Sequence, residues 1–256
     1  MAEPAALTGR RALVTGADTG IGRAIARALA AQGAQVVLHH LGNAAGARET
    51  LDAETHEADF TLDGAAEALA QAVLAGGPVD ILIANAAIER RSPWQDLSAA
   101  TLHDHVAANL GALLALCQGL VPPMAARGWG RVVAVGSVMA ARPRAETLAY
   151  AALKSAQTTA LRALAREVAA SGVTLNAIAP GAIETERTAG RYADPDFRAA
   201  VTAKIPAGRQ GQPEDCVAPV LMLCGDGASY ITGVEIPVDG GWTAGDAPGQ
   251  LPQVPN

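Results

Sequence analysis

The feature that most constrains the fold is a glycine-rich turn between a short apolar segment and a helical segment near the N-terminus. Residues 11–15 form the apolar segment, the turn follows, and residues 21–32 have the composition of a helix. A second apolar segment, 35–39, comes next. Two strands joined through a helix form a crossover connection, which makes them parallel. The start of the chain therefore predicts a βαβ unit.

The same alternation continues along the chain. The continuous apolar segment 79–84 is typical of a strand covered on both faces. Further strands are predicted to end near 57–59 and to cover 131–136, 173–178 and 234–238, and helices to cover 65–74, 99–124 and about 150–170. This pattern predicts an α/β protein with a Rossmann fold, a doubly wound parallel seven-stranded sheet with helices on both faces.

We expect residues 1–256 to form a single domain, because no repeat or linker divides them. Two segments interrupt the alternation. Residues 182–213 are long and polar, which predicts a lid or small helices of its own. The tail 243–256 has no periodicity and is expected to be frayed or to lie over a neighbouring subunit.

Charge and cysteine content exclude several classes of protein. The net charge is −6 without a block of like charges, so no nucleic-acid partner is expected. No apolar run reaches the ~18 residues that span a bilayer, and the N-terminus lacks a signal-peptide pattern. Cys117, Cys216 and Cys224 are odd in number and widely spaced. They predict buried free thiols in a cytoplasmic protein rather than disulfides or a metal site.

The glycine turn has the chemistry of a phosphate-binding site. Gly16 permits a tight turn, Gly20 permits close approach of the backbone to a pyrophosphate, and Gly22 permits close packing of helix on sheet. The N-terminus of the following helix offers free N–H groups and a positive dipole end. Its position between the first strand and the first helix predicts a dinucleotide site. The alternative is a glycine-rich turn without a ligand.

Tyr150 and Lys154 are four residues apart, so both lie on one face of a helix. A free phenol has a pKa near ~10, and a nearby ammonium lowers that pKa. The pair can then transfer protons at working pH. On its own the spacing also fits two surface neighbours.

Taken in order, these motifs resemble the short-chain dehydrogenase/reductase family. The resemblance runs from about Leu7 to Trp242. It rests on Thr15, Gly16, Gly20, Ile21 and Gly22 (TGxxxGIG), Asn109, Ser137, Tyr150 and Lys154 (YxxxK), Pro180 and Gly181 followed by Thr185, and the segment 231–241. The long lid and residues 206–215 are similar to the branch that contains acyl-carrier-protein reductases and sugar or polyol dehydrogenases.

The resemblance implies four catalytic residues. Tyr150 would be the general acid for carbonyl reduction and the base for alcohol oxidation. Lys154 would lower its pKa and bind the nicotinamide ribose. Ser137 would hold the substrate oxygen, and Asn109 would support a water that relays protons to Lys154. Separately, each could be a surface pair, a strand-end cap or a helix-bonded asparagine.

The resemblance also implies a set of residues that bind the cofactor. They are Gly16, Asp18, Thr19, Gly20, Ile21, Gly22, His39, His40, Asp59, Phe60, Asn85, Ala86, Ala87, Tyr150, Lys154, Pro180, Gly181, Ile183 and Thr185. Asp59 would bond the adenine amino group, although it could simply cap a loop. Ala87 departs from the family pattern, which has a glycine there.

The cofactor is expected to be NADP or NAD, and the sequence slightly favours NADP. An acidic residue at the end of the second strand normally binds the ribose 2′-hydroxyl of NAD. Here that position is His40, preceded by His39. A histidine and backbone N–H groups could hold the 2′-phosphate of NADP, whereas Asp18 would oppose it. A metal at the two histidines lacks a third ligand.

The predicted function is oxidoreduction of a ketone or secondary alcohol with NAD(P)(H), by a homotetramer that binds a small-molecule substrate. Residues 88–94, 138–144 and the lid from Glu184 are expected to line the substrate pocket. Four arginines near its mouth suggest an anionic or polyhydroxylated substrate, unless they are ordinary loop ion pairs: Arg90, Arg91, Arg142 and Arg144. The alternative functions are an isomerase or lyase on the same scaffold and a non-catalytic nucleotide-binding protein.

Overall fold

The computed structural model describes residues 6–245. The strands are β1 (Arg11–Val14), β2 (Gln35–His40), β3 (Glu54–Glu57), β4 (Ile81–Ala84), β5 (Gly130–Val135), β6 (Val173–Pro180) and β7 (Glu235–Val238). They form a seven-stranded sheet in the order β3-β2-β1-β4-β5-β6-β7. Every neighbouring pair is parallel. The predicted fold class is therefore confirmed.

The α-helices of these residues alternate with the strands. They are α1 (Gly20–Ala31), α2 (Ala44–Thr50), α3 (Ala65–Ala75), α4 (Ala99–Val106), α5 (Ala112–Ala126), α6 (Leu148–Val168), α7 (Glu186–Tyr192), α8 (Pro195–Thr202) and α9 (Val217–Cys224). Because β1 pairs with both β2 and β4, the strand order reverses direction at β1. The crevice outside the carboxyl ends of the strands at such a point is where ligands bind in open α/β sheets.

Two apolar cores hold the layers together, one on each face of the sheet. Leu13 and Leu82 point into the core that contains α3 and α5. Val14 and Ile83, their neighbours in sequence, point into the core that contains α1 and α9. Side chains alternate between the faces of a strand, and burial of each large aliphatic group stabilises the fold by about 1.5–3 kcal/mol.

The predicted helix over 99–124 is broken in the middle. A π-helical segment, Ala107–Gly111, separates α4 from α5 and carries Asn109. In the described part of the chain, the whole run Ala99–Ala126 (28 residues, hydropathy 1.4) is long and apolar enough to cross a membrane. The sequence analysis predicted no membrane-spanning segment, because polar residues such as Asp104 interrupt the apolar run. Half of the most apolar window is buried inside the fold, as in a core helix of a folded domain.

The predicted lid contains small helices, α7 and α8. Its two ends meet where Ile183 forms a parallel bridge with Gly211. Arg198 makes a two-bond ion pair with Glu184, with Nη2 to Oε1 at 2.7 Å and Nη1 to Oε2 at 3.0 Å. The lid is thus fastened at its base. The predicted tail lies outside the described residues beyond position 245.

Candidate active site

A cleft of about 600 Å³ lies across the carboxyl ends of the strands. It brings together most of the residues predicted from sequence: Gly16, Asp18, Thr19, Gly20, Ile21, His39, Asp59, Phe60, Asn85, Ala86, Ala87, Ser137, Tyr150, Lys154, Pro180, Gly181, Ile183 and Thr185. Gly22, His40 and Asn109 are not among its lining residues. A smaller cavity of about 320 Å³, beside β7, contains none of the predicted catalytic residues.

The glycine turn is shaped as the sequence predicted. Gly16 has φ +61°, in the left-handed region that favours glycine. A Cβ on Gly22 would stand 2.0 Å from the Gly16 carbonyl oxygen, so α1 could not pack against the turn with any larger residue there. Gly22 therefore permits the close packing of α1 against the turn without lining the cleft itself.

Thr15 and Asn85 join the end of β1 to the end of β4. The Thr15 hydroxyl accepts hydrogen bonds from the backbone N–H groups of Asn85 (2.9 Å) and Ala86 (3.0 Å). The Asn85 amide donates to the carbonyls of Thr15 and Gly16, both at 2.9 Å. Among the non-glycine residues described, Glu146 is the one with positive φ, so the methyl of Ala87 is accommodated in ordinary backbone.

The N-terminus of α1 already binds an anion of the chain itself. The Gly20 N–H donates to the Glu186 carboxylate at 3.0 Å, and Arg23 donates to the same carboxylate at 3.0 Å. Thr19, the N-cap residue, makes no side-chain capping bond. Free N–H groups and a positive dipole end favour anions at this place. The turn therefore fits the pyrophosphate of a dinucleotide.

His39 is a neutral, structural ring at the edge of the cleft. Its Nδ1 accepts from the Gly16 N–H (3.1 Å), so Nε2 carries the proton and donates to the Ala58 carbonyl (3.0 Å). The ring stacks on Phe60 with centroids 4.4 Å apart. Burial lowers the pKa of His39 to about 4. His39 thus offers no positive charge to a phosphate near neutral pH.

His40 and Asp59 were also predicted to bind the cofactor, and the structure gives each of them a different environment from the one expected. His40 is 4% exposed, lies away from the cleft, and its Nδ1 has no hydrogen-bond partner within residues 6–245. Asp59 lines the cleft, but its Oδ1 accepts from the N–H (2.9 Å) and hydroxyl (2.7 Å) of Thr61, which lower its pKa. The loop-capping alternative therefore describes the carboxylate of Asp59, and His40 is not among the residues that line the cleft.

Tyr150 and Ser137 both line the cleft. Burial and the Glu89 carboxylate raise the pKa of Tyr150, while Arg187 and the Ser137 hydroxyl act in the opposite direction. The expected lowering by Lys154 is not what dominates here. The lysine Nζ is 5.5 Å from the phenol ring centroid and donates instead to the Val135 carbonyl at 2.7 Å. The phenol is consequently a proton donor at neutral pH.

Lys154 is 2% exposed, which is unusual for an ammonium group. Burial, and to a smaller extent Arg187, lower its pKa to about 7 against the opposite effect of Glu235. The lysine therefore changes charge within the working pH range. A buried amine tuned in this way is typical of a functional site.

Asn109 binds the backbone of Ile88, a residue that lines the cleft. Its Oδ1 accepts from the Ile88 N–H (2.8 Å) and its Nδ2 donates to the Ile88 carbonyl (2.9 Å). Its own carbonyl accepts from Gln157 on α6. The π-helical segment thus connects the strand-end loop after β4 to the helix that carries Tyr150, and the predicted water relay through Asn109 stays a prediction.

The structure adds residues that the sequence analysis did not name as site residues, four of them within segments already predicted to line the pocket. Arg187, Arg191 and Glu89 line the cleft, as do Tyr192 and Trp242. The i,i+4 spacing of Arg187 and Arg191 on a lid helix is the signal that could have identified the arginines. Trp242 reaches the cleft from beyond β7, which no local pattern indicates. The predicted pocket segment 88–94 contributes residues 88–91 to the cleft, whereas Trp94 is 70% exposed and is not part of its lining.

Comparisons with known proteins agree with this geometry. The sequence model of a family described as Enoyl-(Acyl carrier protein) reductase matches residues 16–243. The 3-oxoacyl-[acyl-carrier-protein] reductase FabG of Salmonella typhimurium is 37% identical over 242 residues, which cover 91% of this chain and 97% of that protein. The gluconate 5-dehydrogenase of Gluconobacter oxydans is 36% identical over 245 residues, which cover 93% and 96%.

A solved structure has the same fold. The 3-oxoacyl (acyl-carrier-protein) reductase from Agrobacterium tumefaciens C58, crystallised with NADP bound, superposes with a TM-score of 0.88 at 37% identity, covering 93% of this chain and 95% of that one. The chain therefore belongs to the short-chain dehydrogenase/reductase family of NAD(P)-dependent oxidoreductases, which confirms the resemblance and the enzyme class predicted from its sequence.

Proposed function

We propose that this chain interconverts a ketone and a secondary alcohol, with Tyr150 as the proton-transfer residue. A single observation supports this most directly: one cleft contains both a glycine turn that binds an anion and the group Ser137, Tyr150 and Lys154. A bound nicotinamide supplies or accepts the hydride. The phenol of Tyr150 donates a proton to the oxygen that becomes the alcohol, and Ser137 orients that oxygen.

NADP(H) is the proposed cofactor, with NAD(H) the alternative. The related Agrobacterium tumefaciens enzyme was crystallised with NADP. In this chain no carboxylate stands at the end of β2 to select a ribose 2′-hydroxyl. Because His39 is neutral, backbone N–H groups after β2 would hold the 2′-phosphate.

The test is cofactor turnover against a panel of carbonyl compounds and alcohols. We expect Tyr150→Phe to lower kcat by at least a thousandfold while NADPH still binds, because the proton donor is lost and the glycine turn is intact. Tyr230→Phe, at a fully exposed tyrosine (101%), is the matched control and keeps wild-type activity. Wild-type cofactor binding without turnover would instead favour a non-catalytic nucleotide-binding protein.

Assembly and location are further parts of the proposal. Exposed apolar residues on α4, Leu102 and Val106 (43% each), share one helix face and suit the predicted homotetramer. The predicted cytoplasmic location is supported by the cysteines. All three are free and buried, and burial raises the pKa of each thiol to about 12.

A further inference from the structure

Three arginines lie together at one end of the cleft. Arg144 follows β5, and Arg187 and Arg191 lie one turn apart on α7. All three line the cleft. Within residues 6–245, none of their guanidinium groups makes an ion pair or a hydrogen bond. Like charges at i,i+4 destabilise a helix by about 0.2–0.5 kcal/mol, so α7 gains nothing from this pair by itself.

The other charges of this region are already balanced. Arg91 donates to Glu89 at 2.8 Å, and Arg90 pairs with Asp104. Arg142, the fourth arginine predicted from sequence, is turned to the Trp242 and Gly245 carbonyls. Glu89 also interacts electrostatically with Arg144, Arg187 and Arg191. One carboxylate balances only one positive charge, so the excess positive charge comes from these three arginines, of which the sequence prediction named Arg144.

The unbalanced charge lies on the substrate side of Tyr150. Arg187 is close enough to Tyr150 and Lys154 to affect the pKa of both side chains: it opposes the rise that burial causes at Tyr150 and adds to the fall that burial causes at Lys154. Burial raises the pKa of Tyr192, and Arg144 and Arg191 both oppose this rise; Tyr192 also lines the cleft. The glycine turn contains an acidic residue instead, Asp18, and Glu186 of α7 binds to it through the Gly20 N–H.

We propose that the substrate carries a carboxylate or phosphate group, which Arg144 and Arg191 bind while its carbonyl or hydroxyl group lies against Tyr150 and Ser137. This inference rests on the proposed function and specifies its substrate class. The planar guanidinium binds either anion through two parallel hydrogen bonds. The partly buried position of Arg144 limits screening by water, and Arg187 adds attraction close to the reacting oxygen.

The experiment compares substrates with the same carbon chain that differ in whether one end carries a carboxylate, a phosphate or a neutral hydroxyl group. Five- and six-carbon aldonates, the corresponding alditols and alditol phosphates are assayed as secondary alcohols with NADP⁺. We expect kcat/KM to be at least tenfold higher for one anionic class than for the alditols. Arg144→Gln and Arg191→Gln should raise KM for that anion tenfold or more, with little change in kcat and none in the KM of the alditol.

The control is Arg166→Gln on the exposed face of α6, which should leave every parameter unchanged. Calorimetric titration of the same anions into the NADP-loaded protein measures the site without turnover. Failure of catalysis with retained anion binding would contradict only the proposed function. Equal binding of anions and alditols, or variants that raise KM for NADP⁺ instead of the substrate, would overturn the anion site.

Discussion

Lys154 has a charge state that depends on a few neighbours which the sequence does not place beside it. Its Nζ is bound to the Val135 carbonyl, and Arg187 and Glu235 act on it with opposite signs. Glu235 is held on β7 by the Thr158 hydroxyl, which donates to its Oε1 at 2.7 Å. Glu235 is therefore a positioning residue whose charge keeps the buried lysine protonated at higher pH.

Replacement of Glu235 tests this role. Because Glu235 raises the pKa of Lys154, we expect Glu235→Gln to move the limb of the kcat/KM profile that begins near pH 7 to lower pH. Glu235→Asp should restore part of the shift. Glu167→Gln, on the exposed face of α6, is the charge-matched control. A profile of unchanged shape with uniformly lower activity would mean that Glu235 has only a structural role.

For single residues, the sequence predicts which side chains form the site better than it predicts what surrounds each of them. The spacing of Tyr150 and Lys154 places them on one helical face, and Ser137 follows a strand that must end at the cleft. The direction in which the pKa of Tyr150 is shifted could not be predicted from the sequence, because it depends on burial and on Glu89, 61 positions away in sequence. His40 was misplaced because alternation along β2 turns it away from the cleft that His39 lines.

Among the elements, α7 has a position that couples the lid to the glycine turn. Glu186, at its first position, occupies the N-terminus of α1 where the pyrophosphate is expected to bind. A charge near a helix N-terminus is worth about 0.3–1 kcal/mol. We expect cofactor binding to displace this carboxylate from the Gly20 N–H.

Removal of that charge should strengthen cofactor binding. We expect Glu186→Gln to lower the Kd for NADPH about two- to fivefold, the factor that corresponds to about 0.3–1 kcal/mol. Fluorescence titration measures this, and Glu67→Gln on the exposed face of α3 is the control. Weaker binding in Glu186→Gln would show that the carboxylate serves the cofactor, by holding Arg23 in place.

Elements with clear periodicity or apolar continuity could be predicted, and those that depend on distant contacts could not. α2 has seven residues and is capped by Asn43, whose Oδ1 accepts from the Gly46 N–H at 3.1 Å. α9 is apolar on all sides and contains Pro219, so it shows no helical period. The π-helical break between α4 and α5 accompanies the contact of Asn109 with Ile88, which only the folded chain reveals.

For the whole molecule, the alternation of strands and helices was sufficient to predict the parallel sheet and the location of the cleft. Crossover connections and the reversal at β1 follow from general rules of chain connectivity. The distribution of charge around the cleft did not follow, because α7 brings Arg187 and Arg191 over a site made by other elements. Two of the three arginines proposed to select the substrate therefore lie on the lid.

The stability of the whole molecule should depend on His39 in acid. This ring connects the glycine turn to the segment after β3, through Gly16 and Ala58. Its pKa is about 4 in the folded protein, against the 6.5 of an unperturbed histidine side chain. Between these values the unfolded chain binds more protons, so stability falls as the pH decreases from 6.5 toward 4. At pH 4.5 this one group costs about 2 to 3 kcal/mol.

Urea unfolding at pH 7.5 and pH 4.5 measures this effect. We expect the loss of unfolding free energy between the two pH values to be smaller by about 2 to 3 kcal/mol in His39→Asn than in the wild type. Asparagine can still accept from the Gly16 N–H, and it carries no titrating group. His103→Asn, on the exposed surface of α4, is the control and should behave as the wild type. The same loss in all three proteins would mean that acid unfolding begins at other groups and that the ring at the edge of the cleft is not protonated as the fold opens.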